Sequence, residues 1–213
     1  MKRLIKYQAI PIREKRNDAF AKAPGDVVLI LSNIGYEPIL LDRIPPANKC
    51  IAKLQWFVWA MMVGFKLFKM PRKSLILFQL PSVLYDKKIH PLLKVARKFR
   101  GLRYVAFFHD LGEIQHKGSE KLNKGTSSII KLSDAIIIHN SHMARWLEVH
   151  GVEPSKMVEL KLFDYLHNCR VTQPIDKNGA IIIAGRLSVK KCAYLKQLEA
   201  VDGVRFNLYG ICD

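Results

Sequence analysis

The sequence predicts an α/β chain: a parallel sheet with crossover helices, followed by the first β-α-β unit of a second sheet. Three observations predict it. Short apolar runs without breakers recur at 75–80 (LILFQL), 104–108 (YVAFF) and 135–139 (AIIIH), the profile of strands buried on both faces. Between and after them lie longer stretches with apolar residues at helical spacing, two of them closed by Gly101 and Gly151. After a polar stretch at 171–178 that contains Pro174, the alternation starts again.

The elements follow in order. Residues 2–12 read as a first strand and 13–22 as a polar, charged connector. Residues 24–34 predict a helix, with Pro24 near its first turn and Gly35 as its stop. The unbroken run 27–31 also allows a strand turning at Gly35; the helix is preferred, with a strand at 38–41. The most hydrophobic stretch is 47–69. Its centre, 54–65 (LQWFVWAMMVGF), has 12 residues between Lys53 and Lys66, short of the roughly 20 that a membrane span needs. Trp56, Trp59, Met62 and Phe65 are expected on one face, with Lys49, Lys53, Lys66, Lys69, Arg72 and Lys73 crowding the ends. Two readings stand: a core helix covering the sheet, or an interfacial helix that dips Trp and Phe into a bilayer while lysines meet anionic headgroups.

Strand 75–80 ends at Pro81-Ser82. The basic helix 90–100 is expected to turn Leu92, Leu93, Ala96 and Phe99 inward and to end at Gly101. Strand 104–108 follows, then a helix in the second part of 119–132, where Gly125 is unfavourable. Strand 135–139 leads to a helix at 143–150 capped by Asn140 or Ser141, and to a short strand at 157–162. Beyond the linker come strand 180–184, the loop Gly185-Arg186-Leu187-Ser188, helix 189–200 and strand 204–209, with Gly210 after it. One such unit does not bury a sheet on both sides, so the second domain is expected to be begun and not finished. The predicted division is a first domain at 1–168, a linker at 169–178 and an incomplete domain at 179–213.

Charge is uneven. The net charge is +17. Residues 1–100 carry 20 basic and 6 acidic residues, and 101–213 carry 15 and 12. The first half therefore attracts polyanions: nucleic acid, anionic lipid or a phosphorylated substrate. No aromatic-basic interleaving of a known RNA module is present, so nucleic acid is not the expected partner. Cys50, Cys169, Cys192 and Cys212 show no CxxC spacing, which fits neither a disulfide framework nor a zinc site and suits a reducing cytoplasm. Met1-Lys2-Arg3 is followed by only two apolar residues before Lys6, unlike a secretory signal. The expected location is cytoplasmic, extending to the inner face of the membrane if the Trp-rich helix is interfacial.

The chemistry is expected at strand ends. His109-Asp110 directly follows strand 104–108, and ligands of open α/β sheets bind past the carboxyl ends of parallel strands. The alternative is that Asp110 only caps the next segment and His109 packs. His139-Asn140 ends another strand on the same edge. There is no GxGxxG, no GxxxxGK[ST] and no GxSxG. Gly185-Arg186-Leu187-Ser188 with Lys190 is either a phosphate site at a helix N-terminus or a plain tight turn. No His-x3-His and no paired carboxylates support a metal, and none is expected.

The order of features resembles bacterial glycosyltransferases of GT-B type, close to the galactofuranosyltransferases and related sugar transferases of surface-polysaccharide clusters. The matching pieces are Gly35-Tyr36, 75–82 (LILFQLPS), Phe108-His109-Asp110-Leu111, 133–140 (SDAIIIHN), 160–166 (LKLFDYL), 184–188 (AGRLS) and 206–210 (FNLYG). The resemblance implies two Rossmann-like domains facing a cleft, the first on the acceptor side and the second holding a UDP-sugar donor, with no divalent metal. On that mapping Asp110, with His109, is the catalytic candidate, a carboxylate able to take the acceptor's hydroxyl proton. His139 and Asn140 lie on the acceptor side. Gly185, Arg186, Ser188 and Lys190 face the diphosphate and stabilise the leaving group's growing charge, while Tyr209 and Gly210 lie near the nucleotide. The acceptor implied is a glycan or a lipid-linked sugar, and an anionic membrane surface is a further expected partner. Two departures stand out. The first loop reads Arg13-Glu14-Lys15-Arg16 where relatives offer small residues, and most of the donor domain lacks a counterpart, as in a truncated product. The competing expectation is therefore a non-catalytic acceptor-domain remnant that binds membrane or glycan.

Overall fold

The computed structural model describes residues 5–11, 19–41, 52–80, 89–111, 114, 124–161, 166, 179–186 and 203–211. They belong to two compact units, Met1–Leu166 and His167–Asp213.

The first unit is a Rossmann-like α/β domain. Its strands are β1 (Lys6–Pro11), β2 (Tyr36–Leu41), β3 (Leu75–Leu80), β4 (Arg103–Phe108), β5 (Ala135–Ile138) and β6 (Met157–Glu159). They form one sheet in the order β2-β1-β3-β4-β5-β6, and each neighbouring pair is parallel. The helices are α1 (Ala19–Asn33), α2 (Ala52–Lys69), α3 (His90–Arg100), α4 (Lys124–Leu132) and α5 (Ser141–Val149), with a 3₁₀ turn at Pro154–Lys156. β1 lies between β2 and β3, so the chain first moves one way along the sheet and then the other. Right-handed crossovers then place the helices on opposite faces.

The packing shows this division. Alternate strand residues Ile76, Phe78, Leu80, Tyr104, Ala106, Phe108, Ile136 and Ile138 share the main core with residues of α2, α3, α4 and α5. On the other face Leu77 and Phe107 pack with Val27 and Leu31 of α1. Each such side chain contributes about 1.5–3 kcal/mol on full burial. Polar ties set the register of the layers. The Tyr104 hydroxyl donates to the Leu93 carbonyl at 2.8 Å, and Arg97 of α3 pairs with Asp134, whose Oδ2 accepts from the Tyr104 N–H at 2.8 Å.

Several elements differ from the expected ones. α1 starts at Ala19, so the connector 13–22 is helical in its last four residues and Pro24 is the sixth residue of the helix. Pro24 removes the bond that the Phe20 carbonyl would accept. The Lys22–Asp26 ion pair, 2.7 Å at i,i+4, spans the interruption.

The expected aromatic face of α2 is divided. Trp59 is 3% exposed, whereas Phe65 is 61% exposed and Trp56 and Met62 are also exposed. Steps of three residues fall about 60° short of a turn each, so these four positions sweep around the helix. The buried stripe is Trp59, Ala60, Val63 and Leu67, continued by Met70. On α3, Leu93 and Ala96 are buried as expected, but Phe99 is exposed. Gly101 caps α3 at φ +65°, a conformation that favours glycine.

In the second unit, β7 (Ile181–Arg186) and β8 (Phe206–Ile211) are parallel. Both run two residues past their expected ends. Gly185 pairs with Gly210 and Arg186 with Ile211, so Gly185, Arg186 and Gly210 are strand residues and not loop residues. Linker 169–178, Ser188, Lys190 and helix 189–200 lie outside the described residues. No helix among the described residues is long and apolar enough to cross a membrane.

Candidate active site at the carboxyl edge of the sheet

His109 follows β4 directly, and its N–H donates to the Leu80 carbonyl at 2.7 Å, carrying the β3–β4 ladder one step past the strand ends. His139 follows β5. Register places Gln79 beside Phe107 and Phe107 beside Ile137. With side chains alternating, Gln79, Phe107, His109 and His139 share the face that carries α1. This is the edge next to the β1/β3 reversal point, where open α/β sheets hold their ligands.

The site is built around Phe107. Its ring centroid lies 4.5 Å from that of His109 and 5.5 Å from that of His139, and the two imidazoles are 5.9 Å apart. The structure thus brings the two expected histidines together. Gln79 holds the first of them. Its Oε1 lies 2.7 Å from His109 Nε2, and its amide nitrogen donates to the Pro24 carbonyl of α1 at 3.3 Å. A backbone carbonyl only accepts, so the amide group must face Pro24 and the side-chain oxygen must face His109. His109 Nε2 is therefore the donor, and the ring is the Nε2–H tautomer.

Burial and the neighbouring His139 push the His109 pKa down to about 4. Burial also lowers the pKa of His139, opposed by the negative charge of Asp110. Near neutral pH both rings are uncharged, with a carboxylate close enough to His139 to act on it electrostatically. Asp110 is partly exposed at the rim. The arrangement offers an apolar floor, two neutral imidazoles and one carboxylate, which suits proton transfer to or from a hydroxyl.

Asn140 has a structural task. Its Oδ1 accepts from the Met143 N–H at 2.9 Å as N-cap of α5. Among the described residues no group of three or more His, Cys, Asp or Glu side chains could hold a metal ion. Tyr209 is an exposed residue within β8.

Sequence reasoning missed Gln79, Pro24 and Gln8. The available signal was composition: Gln79 is the one polar residue of LILFQL, and Gln8 sits in KYQAIP. Gln8 is fully buried and donates to the Val28 carbonyl at 3.0 Å and to Ser32 Oγ at 2.8 Å. Both glutamines thus tie the sheet to α1.

The family model for the glucosyltransferase 3-like N-terminal domain matches residues 8–162, which takes in β1 from Gln8 onward and the whole of β2 to β6. No curated protein matches the chain.

Proposed function

The chain belongs to the glucosyltransferase 3-like family through its N-terminal domain, and from that premise we propose that it acts in the transfer of a hexose from a UDP-sugar to a hydroxyl of a glycan or lipid-linked acceptor. The observation that carries the reading is the cluster of His109, His139 and Asp110 at the carboxyl edge of a sheet whose family is one of glycosyltransferases. The first unit is the acceptor side. The acceptor hydroxyl attacks the anomeric carbon, the bond from that carbon to the diphosphate breaks, and Asp110 takes the hydroxyl proton. His109 and Phe107 shape the wall beside it. Donor contacts fall to the second unit, with Gly185, Arg186, Ser188 and Lys190 facing the diphosphate and Tyr209 and Gly210 nearer the nucleotide. No metal is needed in this scheme. The family's description favours a glucosyl donor, while the sequence motifs pointed to galactofuranosyl.

The test is a calorimetric titration with UDP, joined to a UDP-release assay with UDP-glucose, UDP-galactose and UDP-galactofuranose. Saturable one-site binding of UDP and release from one donor is the expected result. A folded chain that neither binds UDP nor releases it overturns the reading and leaves an acceptor-type domain without transfer.

A further inference from the structure

α2 is apolar on two opposite sides. One side meets the sheet. The other presents Leu54, Phe57, Val58, Met61, Phe65 and Phe68, all exposed, and their spacing in steps of three and four makes a continuous stripe. From Leu54 to Phe68 the stripe is about 21 Å long at 1.5 Å per residue. It continues onto α3, where Phe99 lies 6.5 Å from Phe68, centroid to centroid, with exposed Val95 one turn away.

The border of this surface is basic. Lys53, Lys69, Arg72, Lys73, Lys94 and Lys98 are exposed around it. The Lys69 ammonium lies 4.3 Å from the Phe65 ring centroid, so cation and apolar surface are one patch. Residues 52–80 and 89–109 contain no Asp or Glu.

This charge pattern decides the occupant. A symmetric pairing of two copies through the stripe sets cations against cations. An anionic bilayer places apolar chains under the stripe and negative headgroups along its border. We infer that the exposed α2–α3 face docks, in the plane of the membrane, on an anionic phospholipid bilayer. This inference stands apart from the transfer reaction.

The experiment is co-sedimentation of the full chain with vesicles of phosphatidylcholine alone, or with 30% phosphatidylglycerol (about one lipid in three, a strongly anionic surface). Two variants accompany it: F57Q/M61Q/F65Q, which leaves the buried stripe intact, and K53Q/K69Q/K98Q. Circular dichroism checks both folds. Binding to the anionic vesicles is expected to exceed binding to neutral ones at least tenfold and to weaken at high salt. Each variant is expected to lose binding about tenfold or more. Equal binding to both vesicle types, or unchanged binding by the apolar variant, overturns the inference. So does self-association in solution that the apolar variant abolishes, which would assign the stripe to a second copy. Binding to RNA with none to anionic vesicles overturns it too.

Discussion

The side-chain oxygen of Gln79 accepts the His109 Nε2–H at 2.7 Å while its amide donates to the Pro24 carbonyl. One buried amide therefore links helix α1 to the candidate site and selects the tautomer of its central imidazole. Gln79→Leu leaves both the His109 N–H and the Pro24 carbonyl without this partner. Stability is expected to fall by about 1–3 kcal/mol, read as a lower urea midpoint with unchanged slope. Gln79→Glu keeps an acceptor for His109 and loses the donor to Pro24, and its carboxylate charge favours the imidazolium, so His109 is expected to become easier to protonate.

Acid is expected to weaken the fold through His109. Its folded pKa, about 4, lies below the ordinary 6.5, so between these values the unfolded chain binds the extra proton. The stabilisation is complete above pH 6.5 and is lost as pH falls toward 4. His139, also shifted down, acts in the same direction. Thermal midpoints of the protein and of His109→Gln, compared between pH 7 and pH 4.5, check this: the variant should lose less. Imidazole chemical shifts in an NMR titration give the site directly.

Asp110→Asn is expected to lower turnover about 10²–10⁴-fold, the usual worth of a positioned proton acceptor, with the circular dichroism spectrum unchanged. Unchanged turnover would remove Asp110 from the proposed chemistry.

Asp26 is buried on α1. It accepts from Lys22 at 2.7 Å and from the Leu166 N–H at 3.0 Å. The Lys22 hydrogen bond is the main cause holding its carboxyl below the ordinary 3.8, against the opposing effect of burial. A lowered carboxylate pKa adds stability above 3.8 that is lost as pH falls through the folded value. Asp26→Asn is therefore expected to lower the thermal midpoint at pH 7, with the gap closing below pH 3.8.

Much of this architecture is legible in the residues. β3 and β4 follow from LILFQL and YVAFF because strands buried on both faces need unbroken apolar runs. His109 and His139 follow from their places after such runs. The start of α1 does not, because the local preference for Pro at a helix start gives way to the Lys22–Asp26 pair and to packing on the sheet. Gly185 resembles a turn residue until the register with Gly210 is known. The role of Gln79 depends on a partner 55 residues earlier in the chain, and no local pattern reports it.

The position of β1 has a kinetic consequence. The partners on β3–β4, β4–β5 and β5–β6 are 21 to 30 residues apart, and so are those on β1–β2, whereas Lys6 pairs with Leu75 across 69 residues. Closing that longer loop costs about 0.8 kcal/mol more than closing one of 28 residues. The parallel β1–β2 pair and the β3–β6 half can therefore assemble early, and the seam between β1 and β3 is expected to be the last to form. Pulse-labelled amide exchange during refolding would then find the β1–β3 ladder protected after the β3–β4 ladder. The strand ends that carry His109 and His139 belong to the half that assembles early, and only the Gln79–Pro24 tie to α1 waits for the seam.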